Sequence, residues 1–347
     1  MKSVVFVTNS IGGGGAERVI NLVASSLDGA DLKTYLIPIN QSSPDLITPS
    51  CKLVCLERNK NLGFIHTFKT LRRFKREIRK INPDFLVLNC DLPEFFGAVT
   101  KLRKNTQIIS VEHTSKPWAH RKVFGMFIRL ILIARGTKWI IVQNDLIVWP
   151  FRNIRKILIN NPIPDLYIRS NRTNTFNVEI GQNRLIFIGR LTPEKNANTF
   201  IELCASTQTP GVIIGEGPER EKLEALATKL NAQIQFTGQK IDPWVLVTMN
   251  DLVLVTSDYE GDGLVIVEAI LQNQAILVSS NIESGKFGLP DTFSCADFNE
   301  FFFKIQQFKN YPSQFRIPEF CVDKMKKERE LTRAIEKWKS LLLTQTH

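Results

Sequence analysis

The sequence has few of the residues from which metal sites and disulfide frameworks are built. It contains 6 cysteines and 4 histidines in 347 residues. No two of the cysteines form a CxxC pair, and no histidine cluster accompanies them. These absences argue against a zinc site or a disulfide scaffold, and they favour a reducing cytoplasm.

Long hydrophobic runs are also missing. The N-terminus begins with a strand-like run, Val4 to Val7, but it lacks the long apolar core and the small-residue cleavage site of a signal peptide. The most apolar stretch, residues 123–134, contains Arg129 and is too short to span a bilayer. We therefore expect a protein located in the cytoplasm.

The chain has fewer acidic than basic residues. The chain has 45 Lys and Arg against 34 Asp and Glu, a formal net charge of +11. This excess favours an anionic partner, which could be nucleic acid, anionic lipid or a phosphorylated small molecule. No nucleic-acid-binding motif is visible, so we expect no nucleic acid partner. The alternative is that the surface lysines serve solubility alone.

Short apolar runs alternate with helical patterns along the whole chain. Such alternation predicts an α/β fold with parallel sheets that are covered on both faces. The predicted strands are 3–8, 34–39, 84–89, 107–112, 139–142 and 156–159 in the first half, and 184–189, 211–215, 234–238, 252–257 and 275–280 in the second.

The alternation is interrupted once, at a segment with two prolines (160–166). We therefore predict two Rossmann-like, doubly wound domains, over residues 1–163 and 164–322, that face a cleft. Ligands of such folds bind at the carboxyl ends of the strands, so the cleft is the expected site. Residues 323–343 are predicted to form an amphipathic helix that crosses back to the first domain.

A glycine-rich turn, residues 12–15, separates the first strand from the first helix. Glycines let the backbone approach a ligand closely, and a helix N-terminus attracts an anion. The turn could also be a tight connection without a ligand. A dinucleotide-binding loop would need an acidic residue near the end of the second strand. The segment 37–41 has none, which argues against a dehydrogenase.

Two cations follow the first strand of the second half, in the stretch FIGRLTPEKN. Arg190 and Lys195 flank a turn there, where they could neutralise a diphosphate. The next strand ends in a second glycine turn, GEGPEREKL, in which Glu216 and Gly217 lie where a nucleoside could pack against the backbone.

Two acids stand seven residues apart in SDYEGDGLVIVEA. If a helix starts near Gly263, its first amides can hold phosphate. Glu268, further along that helix, can accept hydrogen bonds from a ribose diol, which would compensate the cost of its burial. Glu260, in the preceding loop, can reach a sugar hydroxyl or balance positive charge.

Together these motifs resemble the retaining glycosyltransferases of family four, which have the two-domain GT-B fold. The matching stretches are GGGGAERV, FIGRLTPEKN, GEGPEREKL, FTG and SDYEGDGLVIVEA, and they occur in the family's order over most of the chain. The resemblance implies that a sugar is transferred from a nucleotide-sugar with retention at the anomeric carbon. It also implies that no metal or other cofactor is needed.

The resemblance assigns a role to each conspicuous residue. Arg190 and Lys195 match the positions that grip the donor diphosphate. Glu260 matches the acid that faces the donor sugar, and Glu268 the acid that holds the ribose. His113, which follows a strand of the first half, matches a histidine near the donor sugar. The remaining positions expected to contact the donor are Gly13, Gly14, Gly15, Gly215, Glu216, Gly217, Gly261, Gly263, Leu264 and Val265.

The sequence departs from the family at three places. Asp262 replaces an apolar residue, residues 273–275 (Asn-Gln-Ala) replace Gly-x-Pro, and the loop 281–291 matches poorly. These departures concern the donor-sugar pocket and the loop geometry more than the nucleotide grip.

Two stretches of the first half, residues 66–81 and 116–129, are both basic and rich in apolar or aromatic residues. The first predicts a basic amphipathic helix that docks on anionic lipid at the inner face of the cell membrane. A core helix with a solvated face is the alternative. Docking suggests a glycan or lipid-linked acceptor, such as a polyprenyl-carried glycan or a lipopolysaccharide core. For the donor, the resemblance to the family favours UDP as the nucleotide.

Two other functions stay open on the sequence. The first is a nucleotide-sugar epimerase or another GT-B enzyme that needs no acceptor, which product analysis with the donor alone would identify. The second is a basic protein that binds membrane or nucleic acid without chemistry, although this leaves Glu260 and Glu268 unexplained.

Overall fold

The structure, a computed structural model, divides the chain into two units. Unit 1 comprises residues 1–163 with 329–347, and unit 2 comprises residues 164–328. The described residues are 1–11, 14–41, 49–59, 62–114, 116–119, 121–151, 153–164 and 183–344.

Unit 1 contains a seven-stranded sheet in the order β3-β2-β1-β4-β5-β6-β7. Every pair of neighbouring strands in it is parallel. The strands are β1 (Lys2–Thr8), β2 (Leu32–Pro38), β3 (Lys52–Leu53), β4 (Phe85–Asn89), β5 (Gln107–Glu112), β6 (Lys138–Ile141) and β7 (Lys156–Leu158). The order reverses between β1 and β4, which is the doubly wound topology that the sequence predicted.

Both faces of this sheet are covered by helices. The run Val4 to Val7 in β1 is completely buried, as expected for a strand that is covered on two sides. The helix α1 buries Val19, Ile20 and Val23, which recur at helical spacing. The helices of the first 163 residues are α1 (Gly15–Leu27), α2 (Gly63–Ile81), α3 (Asp91–Ala98) and α4 (Lys122–Ala134).

Unit 2 repeats the plan with a six-stranded parallel sheet in the order β10-β9-β8-β11-β12-β13. Its strands are β8 (Leu185–Ile188), β9 (Gly211–Ile214), β10 (Ile234–Gly238), β11 (Leu252–Val255), β12 (Ile276–Ser279) and β13 (Ser294–Cys295). The helices in its described residues are α5 (Ala197–Thr207), α6 (Arg220–Lys229), α7 (Leu264–Leu271), α8 (Phe298–Asn310) and α9 (Glu319–Arg329). The order reverses between β8 and β11, where ligands of doubly wound folds bind.

The C-terminal segment differs from its prediction. The single helix expected over 323–343 is two helices, α9 and α10 (Leu331–Leu343), which are separated at Glu330. The carbonyl of Arg329 accepts a hydrogen bond from the Ile163 amide at 3.0 Å, and the extended backbone of Glu330 then starts a new helix. As predicted, the chain returns to the first domain, because Trp338 of α10 packs edge-on against Phe6.

A buried ion cluster joins two helices of unit 1 to its sheet. Arg129 of α4 donates to both carboxylate oxygens of Glu94 at 2.9 and 3.0 Å, and it pairs with Glu112 at 2.7 Å. Its guanidinium also lies over the Trp139 ring, 5.1 Å from the centroid. Burial raises the pKa of Glu112 to about 8 despite the opposing charge of Arg129. Arg129, the charged residue in the most apolar stretch of the sequence, is therefore buried and holds α4 against α3 and the sheet.

Replacing this arginine should destabilise unit 1. In Arg129→Met, two buried acids lose their cation, and we expect the free energy of unfolding to fall by about 3–5 kcal/mol. Urea denaturation followed by circular dichroism measures the loss. The control is Arg76→Met, because Arg76 pairs with Glu77 at the surface and should cost less than about 0.5 kcal/mol. Equal costs for the two variants would contradict the anchoring role.

Candidate functional site

Three loops at the carboxyl ends of neighbouring strands form the candidate site in unit 2. They follow β8 (residues 189–196), β9 (215–219) and β11 (256–263), and we call them the β8, β9 and β11 loops. Because β9, β8 and β11 are adjacent in the sheet, the loops emerge side by side at the switch point. Arg190 and Lys195 lie in the first loop, Glu216 in the second and Glu260 in the third.

The β8 and β9 loops are joined through their backbones. Gly189 donates to the carbonyl of Ile214 at 3.1 Å, and Leu191 donates to that of Glu216 at 2.9 Å. A Cβ atom on Gly215 would lie 1.8 Å from the Gly189 oxygen, and one on Gly217 would lie 2.3 Å from the Leu191 oxygen. Both positions therefore require glycine for contact between loops, whether or not a nucleoside packs there.

The β11 loop is attached to the β8 loop on its other side. The amide of Asp258 donates to the carbonyl of Glu194 at 2.9 Å. The hydroxyl of Thr256 donates to the carbonyls of Lys195 and Asn196, at 3.2 and 3.0 Å. These bonds fix the residues around Glu260 against the residues around Lys195.

The predicted cation and the predicted acid consequently meet. The Lys195 ammonium lies 2.6 Å from Glu260 Oε1, and the Ser257 hydroxyl donates to the same oxygen at 2.9 Å. The two side chains are 20% and 15% exposed, so the pair is partly desolvated but within reach of a ligand. A diphosphate beside Lys195 would share the ammonium with Glu260 and would place that carboxylate next to the rest of the donor.

Arg190 stands directly after Gly189 with its side chain exposed. Its positive charge lowers the pKa of Glu194, the acidic residue of the same loop. Burial acts to raise the pKa of Glu194, but a hydrogen bond from Thr192 and the charges of Arg190 and Lys195 lower it overall. The β8 loop therefore presents positive charge, as a diphosphate site requires.

The helix α7 begins one residue after Gly263, as the sequence predicted. Gly263 has a φ of +62°, and a Cβ atom there would lie 2.6 Å from the Phe287 ring. Both the conformation and the space demand glycine. The first amides of α7, those of Leu264 and Val265, lie where a helix has no intrahelical acceptor and can bind an anion.

Glu268 is 1% exposed on α7, and it accepts a hydrogen bond from the indole Nε1 of Trp244 at 2.7 Å. Trp244 lies in a 3-10 turn, Pro243–Leu246, whose start is capped by the Asp242 carboxylate. The sequence analysis missed this tryptophan. The sequence did contain a signal for it. Asp242, a residue type that caps helix starts, is followed by a proline and by a tryptophan, whose N–H needs a hydrogen-bond partner when it is buried.

One departure from the pattern of the resembled family, at residues 273–275, has a local explanation. Asn273 has a φ of +52° directly after Gln272, the C-cap of α7, a position where glycine is usual and asparagine is tolerated. The Gln274 amide donates to the carbonyl of Asp251 at 2.5 Å and is fully buried. Residues 273–275 therefore end a helix and join it to β11. Asp262 is buried beside Gly263.

Gly261, also predicted to contact the donor, lies in the β11 loop. The other predicted residues lie in unit 1. His113 directly follows β5, and its Nε2 is buried without a hydrogen-bond partner among the described residues. Its Nδ1 lies 3.4 Å from the side-chain nitrogen of Asn161. Burial lowers the pKa of His113 to about 4, so the ring is neutral near pH 7.

The glycine turn before α1 is described only in part. Gly14 precedes α1 and Gly15 begins it, whereas Gly13 lies outside the described residues. The Ser10 hydroxyl donates to Glu17 at 3.0 Å, which ties the end of β1 to the first turn of α1.

Metal-binding potential is low in the part of the chain that the structure describes. Within it, no group of three or more His, Cys, Asp or Glu side chains is arranged to hold a metal ion.

Filling the contact between the β8 and β9 loops should disturb unit 2. In Gly215→Ala the new Cβ meets a backbone oxygen, which must move, and we expect a loss of about 1–3 kcal/mol or more. The control is Gly285→Ala in the same unit, because no atom lies within 4 Å of its Cβ. Urea midpoints compare the two variants, and equal stability would contradict the close approach.

His113 should make the stability of the protein depend on pH. Its pKa is lowered in the folded state, so the unfolded chain takes up the proton first as the pH falls below 6.5. Between pH values of about 7 and about 4.5, wild type should lose about 2–3 kcal/mol relative to His113→Asn. Urea unfolding of both proteins at the two pH values measures this difference, and parallel losses would show that the histidine titrates normally.

Comparisons with known proteins show which families and folds these features are similar to. The model of "Glycosyl transferases group 1" matches residues 171–286, a segment that contains all three loops and α7. The amylovoran biosynthesis glycosyltransferase AmsD of Erwinia amylovora is 23% identical over 77% of this chain and 78% of that protein. A GDP-mannose-dependent alpha-(1-6)-phosphatidylinositol dimannoside mannosyltransferase of Mycobacterium tuberculosis is 33% identical, over 33% of this chain and 31% of that protein.

A solved structure agrees with the fold over the whole chain. It is Anabaena Alr3699/HepE in complex with UDP and glucose, which superimposes with a TM-score of 0.83 at 15% identity and covers 99% of this chain and 100% of that one. Residues 171–286 are therefore similar to the glycosyl transferases group 1, and the two parallel α/β units have the GT-B fold.

Proposed function

We propose that this protein is a retaining glycosyltransferase that moves a sugar from a nucleotide-sugar, with UDP as the favoured nucleotide, to a hydroxyl group of a glycan or lipid-linked acceptor. One observation carries the proposal. The backbone contacts among the β8, β9 and β11 loops bring Lys195 and Glu260 to 2.6 Å, at the sheet position where doubly wound folds bind nucleotides.

The leaving diphosphate determines what the cations do. As the bond to the sugar breaks, negative charge develops on the diphosphate oxygens. Lys195, Arg190 and the first amides of α7 stabilise that charge without having to reorganise. Because these groups stand on loops that are hydrogen-bonded to one another, their positions are set before the donor binds.

The two acids then act on different parts of the donor. Glu260, held by Lys195 and Ser257, faces the sugar and accepts from a sugar hydroxyl. Glu268 accepts from the ribose hydroxyls, and the bond from Trp244 keeps its carboxylate in one orientation. A buried acid that already has one partner loses less free energy on burial than an isolated one.

The acceptor hydroxyl attacks from the face that the diphosphate leaves, through an oxocarbenium-like state, and a leaving-group oxygen takes its proton. No separate base is needed on this route. His113 contributes a hydrogen bond to a sugar hydroxyl, and as a neutral ring it can do so as donor or acceptor. No metal or other cofactor takes part.

The choice of UDP rests on the structural neighbour that holds UDP and glucose, and GDP is the competing nucleotide because a relative uses GDP-mannose. The acceptor is a cell-surface glycan or its lipid-linked precursor, in polysaccharide or lipopolysaccharide biosynthesis. A relative that makes amylovoran and another that acts on a phosphatidylinositol dimannoside support this class.

We further propose that the protein works as a peripheral protein at the inner face of the cell membrane, and that the basic helix predicted over 66–81 contributes to this location. Among the described helices, none is both long enough and apolar enough to cross a bilayer.

Removing both cations of the β8 loop should abolish transfer. The double variant Arg190→Ala with Lys195→Ala loses the groups that stabilise the leaving diphosphate, and it should also lose the thermal stabilisation that UDP or GDP gives the wild type. At a nucleotide concentration about one hundred times the Kd, that stabilisation is about 3 kcal/mol. Differential scanning fluorimetry with UDP, GDP, UDP-glucose and GDP-mannose identifies the donor before an acceptor is known.

The control variant is Lys229→Ala with Lys309→Ala, two exposed cations in the last turns of α6 and α8, outside the three loops. It should respond to the nucleotide like the wild type. An unchanged response in the Arg190 and Lys195 variant would refute the assignment. Formation of an epimerised sugar from the donor alone, without acceptor, would indicate an epimerase instead.

A further inference from the structure

Helix α4 presents an unbroken line of apolar side chains to solvent. Val123, Phe124, Phe127, Leu130 and Ile131 are between 42% and 68% exposed. They recur at helical spacing and so lie on one side of the helix, and we call them the α4 stripe. No charged residue interrupts the stripe. Contiguous exposed apolar surface of this kind marks an interaction site.

The stripe is not needed for the core of unit 1. The opposite side of α4 faces the sheet and buries Ile128, Arg129 and Leu132. Gly125 lies against the indole of Trp118, where a Cβ atom would approach to 2.2 Å. The helix is therefore already anchored on its inner side, and the α4 stripe takes no part in this packing.

The first turn of α2 adds to the exposed apolar surface. Leu62, Ile65 and Phe68 are between 59% and 75% exposed. Ring contacts connect the helices of this layer, because Phe74 of α2 lies 5.4 Å from Phe96 of α3, and Phe95 of α3 lies 5.6 Å from Phe124 of α4. Helices α2, α3 and α4 therefore form one outer layer of unit 1.

Cations surround this apolar surface. Lys116, Arg121 and Lys122 are exposed at the N-terminal end of α4. The helix α2 carries a single acid, Glu77, which pairs with Lys80 and Arg76. Its exposed cations are Lys69, Arg72, Arg73, Arg76, Arg79 and Lys80.

The charge of the whole chain is divided unequally between the two units. Unit 1 contains 29 Lys and Arg against 13 Asp and Glu, a formal net charge of +16. Unit 2 contains 16 against 21, a net charge of −5. The basic character of the protein therefore belongs to the unit that carries the α4 stripe.

We propose that the α4 stripe inserts at the surface of an anionic bilayer, with the first turn of α2 beside it and the cations of α2 against the lipid phosphates. A helix with an apolar side and neighbouring cations lies in the plane of such an interface. Each cation near an anionic surface contributes about 1 kcal/mol. The proposal deepens the proposed membrane location and makes α4, which the sequence analysis left secondary, the inserted element.

A second copy of the chain is a poorer occupant of this surface. Two stripes in contact would bring together two units of +16 charge, which repel each other. An anionic bilayer offers both an apolar interior for the stripe and negative charge for its surroundings.

Vesicle co-sedimentation tests the proposal on the full chain. The probes are vesicles of phosphatidylcholine alone and of phosphatidylcholine with phosphatidylglycerol. Wild type should bind the second kind and lose binding at high salt, because salt screens the cations. In Val123→Gln with Phe127→Gln the partition coefficient should fall about ten-fold or more, since each apolar side chain removed from the lipid costs about 1.5–3 kcal/mol at full burial.

The matched control is Phe303→Gln with Phe320→Gln, which removes two unit 2 side chains that are each 60% exposed. Its partition coefficient should equal that of wild type. Arg72→Gln with Arg79→Gln should reduce the dependence on phosphatidylglycerol while leaving the α4 stripe intact. Unchanged thermal midpoints confirm that the variants are folded.

Three results would overturn the proposal: no sedimentation of wild type with anionic vesicles, equal losses in the α4 and control variants, or a dimer in analytical ultracentrifugation that the α4 variant converts to a monomer. Nucleotide stabilisation in the same variants separates this proposal from the enzymatic one. The α4 variant should respond to the donor nucleotide as the wild type does, whereas the Arg190 and Lys195 variant should bind vesicles normally.

Discussion

The candidate site depends on the close backbone contact between the β8 and β9 loops. Gly215 lies so near the carbonyl of Gly189 that no side chain fits between them. This contact, together with the bonds from the β11 loop, fixes the backbone positions of the loops that carry Lys195 and Glu260. Because the loops support one another, the charged side chains are positioned by the backbone. An electrostatic site with this support needs little rearrangement when charge develops.

The two units use ion pairs in opposite ways. In unit 1, Arg129, Glu94 and Glu112 are removed from solvent, and the cluster holds helices on a sheet. In unit 2, Lys195 and Glu260 keep part of their surface exposed, so a ligand can compete for either partner. An ion pair from which water is excluded stabilises the fold, whereas an ion pair that water still reaches can also bind a ligand.

Prediction from the sequence succeeded where the signal is local or periodic. The parallel α/β sheets followed from apolar runs between helices, and the start of α7 at Gly263 followed from a glycine before an apolar helix. Trp244 was missed because its importance comes from the indole bond to Glu268, which lies 24 residues away and on another element. The break at Glu330 was missed because no glycine or proline marks it, and the amide that bonds to the Arg329 carbonyl there is that of the distant Ile163.

The sequence by itself determined the two α/β units, their order and the loops on which the charged residues stand, because glycine turns and burial patterns are written in neighbouring residues. Only the tertiary structure decided which charges meet. It paired Lys195 with Glu260 across 65 positions, gave Glu268 an indole partner, and buried Arg129 while leaving the α4 stripe exposed. Such pairings arise when strands that are far apart in the chain become neighbours in a sheet, and no local pattern encodes that adjacency.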